Sequence, residues 1–239
     1  FMFLGAVNFA LHFSVVRTRS LMPYYRDSEF RLYAGLLVTI TAVSIYALYD
    51  QSASHDLSLA IREGMFQAVS IATTSGFVTT DYSSWPVFVP VLLLFASFVG
   101  GCAGSTGGGI KVVRVLLLLR QGQREILRLI HPSAQVTVKV GKQPVNNAII
   151  DAVWGFFAAY VALFALMMLI LMFNGLDQVT AFSAVAATIN NLGPGLGEVS
   201  ANYAGLSDFN KLLLCFSMFL GRLEIFTLLV LLMPAFWRK

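Results

Sequence analysis

The chain has 239 residues, 57% hydrophobic and only 12% charged, with a formal net charge of +4. Soluble domains carry about 25% charged residues, so this composition excludes an ordinary water-soluble fold. The charges cluster and leave apolar runs near the roughly 20 residues that cross the hydrocarbon core of a bilayer. Cys102 and Cys215 both lie in apolar sequence and read as small buried hydrophobes rather than a disulfide framework.

Residues 1–16 read as the end of a preceding transmembrane helix. No basic n-region or cleavage site marks a signal peptide, and the abrupt apolar start suggests a piece of a longer protein. Residues 17–31 form a loop carrying Arg17, Arg19, Arg26 and Arg31, and Leu32 to Tyr49 is a spanning helix. After the acidic turn Asp50–Asp56, a short apolar helix, Leu59 to Thr74, runs into Thr73-Thr74-Ser75-Gly76-Phe77. The stretch 85–120 is apolar but broken between Gly100 and Gly109. A basic linker, 121–145, continues a cationic run of Lys111, Arg114, Arg120, Arg124, Arg128, Lys139 and Lys142, in which Glu125 is the acid. Asn146 to Phe173 spans again. Leu176 to Ile189 is a second short apolar helix, running into Asn190-Asn191-Leu192-Gly193-Pro194-Gly195, and residues 209–236 form the last span.

One unit therefore occurs twice, at 32–120 and 146–239: span, short helix, glycine-containing turn (within 59–80 and 176–197), span. Leu92-Leu93-Leu94 pairs with Leu212-Leu213-Leu214, Ser97 with Ser217, and Gly101 with Gly221. Apolar runs of 10–14 residues are too short to cross and read as re-entrant. Non-helical backbone survives at membrane depth only inside protein or beside a water-filled cavity. A turn freed by glycine can aim successive carbonyls at one axis, where they replace the hydration shell of a monovalent cation. The alternative is a pair of amphipathic surface helices ending in glycine caps. Lys and Arg concentrate in the 17–31 loop, the 111–142 segment and the C-terminus, so the positive-inside rule makes these cytoplasmic. Topology accounts for this charge without nucleic-acid binding.

Gly104 to Lys111 has the look of a phosphate loop, but its lysine falls one residue late and Val112 replaces the required hydroxyl. Gly193 to Gly197 lacks dinucleotide spacing. His12, His55 and His131 are far apart, and no catalytic triad stands out, so no enzymatic role is expected.

The two turns, the Gly100–Gly109 break and Gly221-Arg222-Leu223-Glu224 resemble the bacterial Trk/Ktr potassium-uptake family, most of all its TrkH-type membrane subunits, across essentially the whole chain. The resemblance implies an all-α integral membrane fold of potassium-channel-like helix–pore loop–helix units, multi-pass in the bacterial inner membrane. Thr73, Thr74, Ser75, Gly76 and Phe77, with Asn190, Asn191, Leu192, Gly193, Pro194 and Gly195, would form parts of a potassium filter. Potassium would be the transported substrate, with no covalent cofactor and no metal bound elsewhere. Members carry four repeats around one pore. This chain would hold the third and fourth, so either the other half is absent from it or two copies assemble. The resemblance also implies a homodimer in membrane lipid and a cytosolic nucleotide-binding regulatory subunit of TrkA type, for which the basic 111–142 surface is a docking place.

Six glycines in the ten positions 100–109 make a continuous helix improbable. Gly100, Gly101, Gly104, Ser105, Thr106, Gly107, Gly108, Gly109 and Lys111 read as an intramembrane gate, or alternatively as a small-residue helix contact. Arg222 falls opposite Cys102 in the repeat alignment. A charge at that depth faces the pore or a partner, and Glu224, two residues on, is off its helix face. An ion pair with another helix is the alternative. A gated channel, a transporter coupling potassium to protons or sodium, and a non-conducting scaffold are the competing functions. The scarcity of intramembrane carboxylates favours the channel-like one.

Overall fold

The computed structural model describes residues 1–51, 56–132, 136–141, 143–223 and 225–237. His55, Lys142, Glu224, Arg238 and Lys239 lie outside the described residues. The helices are α1 (Met2–Gly5), α2 (Phe9–Thr18), α3 (Met22–Arg26), α4 (Ser28–Gln51), α5 (Leu57–Ala72), α6 (Phe88–Val99), α7 (Val112–Ile130), α8 (Asn147–Phe173), α9 (Gln178–Ile189), α10 (Asp208–Arg222), α11 (Ile225–Leu232) and α12 (Pro234–Trp237). The one described sheet is a two-residue antiparallel pair, β1 (Lys139–Val140) and β2 (Gln143–Pro144).

Among the described residues, two helices are long and apolar enough to cross a membrane, Ser28–Asp50 within α4 and Asn147–Phe173, which is α8. Both turn large apolar side chains outward, among them Val38, Val161, Leu166 and Leu169. In water such a surface is costly; in lipid it is the ground state. The short helices lie inside. From Thr180 to Ile189, α9 is buried apart from the half-buried Phe182, enclosed by α6, α8 and α10. Its alanines and Ser183 let neighbouring backbones close in. A helix buried all round is no amphipathic surface helix, which removes that alternative for α9. The last turns of α5, including Ala68, Ile71 and Ala72, are buried likewise.

Several boundaries differ from the sequence reading. The N-terminal tail is two helices, because Gly5 ends α1 and the Asn8 side chain caps α2 by accepting the Ala10 N–H at 2.8 Å. Asp27 accepts the Phe30 N–H at 2.7 Å and starts α4 four residues earlier than Leu32. α7 continues ten residues past Arg120 into the expected linker. Glu125 there binds Gln121 at 2.7 Å and Arg128 at 3.1 Å, and Arg124 reaches Asn147 on α8 at 2.9 Å. The last span is interrupted: α10 ends at Arg222, one residue after Gly221, and α11 starts at Ile225. Cys102 is buried as expected, but Cys215 is exposed, on a face of α10 that this chain leaves uncovered.

Candidate functional site

Aspartates start both short helices that lead into the turns, α5 and α9. Asp56 accepts the Ser58 and Leu59 N–H groups at 2.9 and 3.3 Å; Asp177 accepts those of Val179 and Thr180 at 3.0 and 3.1 Å. Hydrogen bonds from the side chain and backbone of Thr180 hold the Asp177 carboxyl below the ordinary carboxylate range. The caps satisfy the free N–H groups at the positive ends of the helix dipoles, leaving the negative ends to point at the turns that follow.

The two turns share one backbone register. Ser75 N–H bonds Ser70 O and Leu192 N–H bonds Ala187 O, both at 2.8 Å, while Thr74 and Asn191 each bond the carbonyl three residues back at 3.0 Å. Thr74 and Asn191 both adopt the left-handed region, at φ 57° and 53°, followed two residues later by Gly76 at 76° and Gly193 at 106°. Asparagine tolerates that region, whereas a β-branched threonine there is a true outlier. Thr74 is held by its hydroxyl, which donates to Thr73 O at 2.7 Å and accepts the Gly108 N–H at 2.6 Å. The turns meet. A Cβ on Gly76 would lie 2.1 Å from Leu192 O, besides requiring positive φ. Phe77, last of the first turn, is exposed.

The second turn is braced from behind. Tyr160 on α8 donates to Asn190 Oδ1 at 2.6 Å, and Asn190 Nδ2 donates to Ser97 Oγ at 3.0 Å, all three residues being buried. Tyr203 donates to Gly193 O at 2.7 Å, and Tyr82, from the first repeat, donates to Gly195 O at 2.8 Å and Pro194 O at 3.3 Å. Tyr82 is 1% exposed, so Tyr82→Phe leaves buried acceptors without a donor, a loss of about 1–3 kcal/mol. Thermal melting of the purified protein is expected to fall by a few degrees, with Tyr25→Phe, at an exposed tyrosine, unchanged.

The glycine-rich segment is a closed loop between α6 and α7, its ends stitched by Ile110 N–H to Phe98 O at 2.8 Å and Val112 N–H to Gly101 O at 3.1 Å. It lies directly against both turns. Gly108 touches Thr74, and its Cα faces the Asn190 carbonyl so closely that a Cβ would lie 1.9 Å from that oxygen. Lys111, at φ 80°, folds back to donate to Gly107 O. Arg222 reaches over from α10, with Nη1 3.4 Å from Thr106 O. A cavity of about 280 Å³ opens beside the loop, between Lys111, Arg114, Tyr160, Asn191 and Arg222. Arg114 stacks 4.2 Å over the Phe156 ring.

The residues singled out from sequence thus come together in one place, the turns edge to edge and the loop with Arg222 across them. The sequence reading missed the tyrosines that hold the second turn, Tyr82, Tyr160 and Tyr203, each of which reads in sequence as an ordinary apolar residue.

Residues 1–239 match the family described as TrkH, cation transport protein. The chain belongs to the TrkH family. It is 52% identical to the Trk system potassium uptake protein TrkH of Halomonas elongata, over all of this chain and 49% of that protein. The identity to the Escherichia coli K12 TrkH is 46%, over all of this chain and 50% of that one. A crystal structure of the potassium transporter TrkH from Vibrio parahaemolyticus superposes with a TM-score of 0.93 at 50% identity, covering 99% of this chain and 51% of that one. The chain spans about half the length of the TrkH relatives it matches, with both glycine-containing turns inside the shared half.

Proposed function

We propose that this chain supplies two adjacent quarters of the wall of a potassium pathway across the bacterial inner membrane, and carries the loop that closes it. The observation that carries the reading is the matched pair of turns: same hydrogen-bond register, same left-handed positions, each after the buried C-terminal turns of a short helix, and in contact with each other. Helix C-termini concentrate partial negative charge, and carbonyl-bearing turns at such ends suit a dehydrated monovalent cation. Thr73 to Phe77 and Asn190 to Gly195 are the segments proposed to line the ion's path. Tyrosine bonds to the carbonyls of Gly193, Pro194 and Gly195 hold the second segment in shape. The relatives named as potassium uptake proteins supply the ion's identity. Further repeats complete the ring, and a homodimer with a TrkA-type regulatory partner bound at the basic, cytoplasmic surface around α7 fits the same picture.

The test is ion preference. Gly76→Ser, in the complete membrane assembly, adds a Cβ at positive φ and against Leu192 O. Strain of about 1–3 kcal/mol placed on one wall of the turn is expected to lower potassium-over-sodium permeability about tenfold in proteoliposome flux assays. An unchanged ratio with a folded protein would remove the first turn from the pathway.

A further inference from the structure

Glu29 is the second residue of α4 and is 8% exposed. Its Oε1 accepts two N–H groups distant in sequence, Ala103 at 2.6 Å and Val113 at 3.1 Å. Those residues bracket the Gly104–Gly109 part of the glycine-rich loop. Ala103 immediately precedes Gly104, and Val113 lies in the first turn of α7, where backbone N–H groups have no helical acceptor. Glu29, an acid from α4, thus caps α7 and clips the loop's entry to its exit.

The loop's other bonds divide it into two limbs. The limb from Cys102 to Thr106 is tied to the N-terminal segment: Cys102 N–H to Ala6 O at 2.8 Å, Thr106 N–H and Oγ1 to Gly5 O at 3.2 and 3.0 Å, and Phe9 N–H to Gly104 O at 3.3 Å. The limb from Gly107 to Gly109 instead rests on the turns, through Gly108 N–H to Thr74 Oγ1.

We propose that Glu29 is a positioning residue that anchors both ends of the glycine-rich loop, so that only the Gly107–Gly109 limb moves when the path opens. The proposal rests on the pathway reading above. A buried oxygen that accepts two backbone N–H groups leaves both donors unsatisfied if it is removed. The two bonds on Glu29 Oε1 hold entry and exit together, while the Gly107–Gly109 limb rests on the turns through Gly108 N–H and is bonded by Lys111 at Gly107 O.

Cys102 is a built-in reporter, because it is 1% exposed and adjoins Ala103. The experiment measures maleimide labelling of Cys102 in the complete transporter, with Cys215→Ser and any other cysteines replaced, alongside potassium flux. The variants are Glu29→Ala and Glu29→Gln, and Gly108→Ala, which displaces the other limb. Glu29→Ala is expected to raise labelling about tenfold, the effect on a local opening of leaving two buried N–H groups without their acceptor, and to raise flux with it. Glu29→Gln keeps an accepting oxygen and is expected to stay within about threefold of the parent. Gly108→Ala is expected to leave Cys102 protected while flux rises. Parental labelling in Glu29→Ala, or deprotected Cys102 in Gly108→Ala, overturns the proposal. If Glu29→Ala does not assemble, Glu29→Asp decides, because a side chain one carbon shorter cannot reach both N–H groups: raised labelling supports the anchor, and parental labelling overturns it. Labelling requires no ion movement, so an assembly that conducts no potassium refutes the pathway reading without deciding the anchor.

Discussion

Gly108→Ala is expected to increase ion flux through the assembled protein at least tenfold. Its Cβ would lie 1.9 Å from Asn190 O and 2.9 Å from the Asn190 carbonyl carbon, both backbone atoms. Real Cβ atoms keep an ordinary distance of 3.4 Å or more, so something has to move by roughly 1.5 Å, the difference between 3.4 and 1.9 Å. Asn190 is fully buried and gripped by Tyr160 and Ser97, so the turn is the stiffer side. The loop gives way, and the 2.6 Å bond from Gly108 N–H to Thr74 goes with it. Overpacking of this kind costs about 1–3 kcal/mol, and 1.4 kcal/mol already changes an equilibrium tenfold. Rubidium or potassium uptake per folded transporter measures the effect. Gly122→Ala is the control, since its Cβ would meet nothing within 4 Å; it is expected to be neutral or slightly stabilising, given the better helix propensity of alanine. Parental flux in a folded Gly108→Ala protein would show that the loop does not bound the path.

Arg222→Ala is expected to raise flux by about tenfold as well, through two effects of the same sign. The guanidinium sits on the cavity beside the loop and approaches Thr106 O at 3.4 Å, so alanine removes a contact that holds the loop across. It also removes a positive charge from the route of a cation. Two unit charges ~4 Å apart repel by about 1 kcal/mol in bulk water and about 4 kcal/mol at an effective dielectric of 20. Arg222 is exposed in this chain, which places it nearer the lower figure, and that is why the expectation is one decade and not three. Arg222→Lys keeps the charge and loses the planar fork, so its flux should lie between. Alanine flux equal to the parent's, measured per assembled molecule, would leave Arg222 a structural residue. Raising ionic strength separates the two effects. Screening weakens the charge barrier but has little effect on a short contact, so a parental flux that climbs with salt assigns the larger share to charge.

Composition and patterning alone determined the membrane setting, the helical class, the duplicated unit, the two turns, the position of the glycine break and the prominence of Arg222. These are local or periodic properties: apolar run length measures a span against a bilayer, and glycine and proline punctuate the backbone wherever they occur. Helix ends were less legible. The start of α4 depends on Asp27 and the length of α7 on Glu125 and a bond to Asn147, and each competes with tertiary contacts that a run of letters does not display. What only the tertiary structure decided is which residues hold the site. Tyr82 bonds a turn more than a hundred positions away, Tyr160 reaches Asn190 from another helix, and Glu29 ties Ala103 to Val113. Such partners are set by where chain segments pass each other in space, and a buried polar group there must find its hydrogen bond wherever the fold places one.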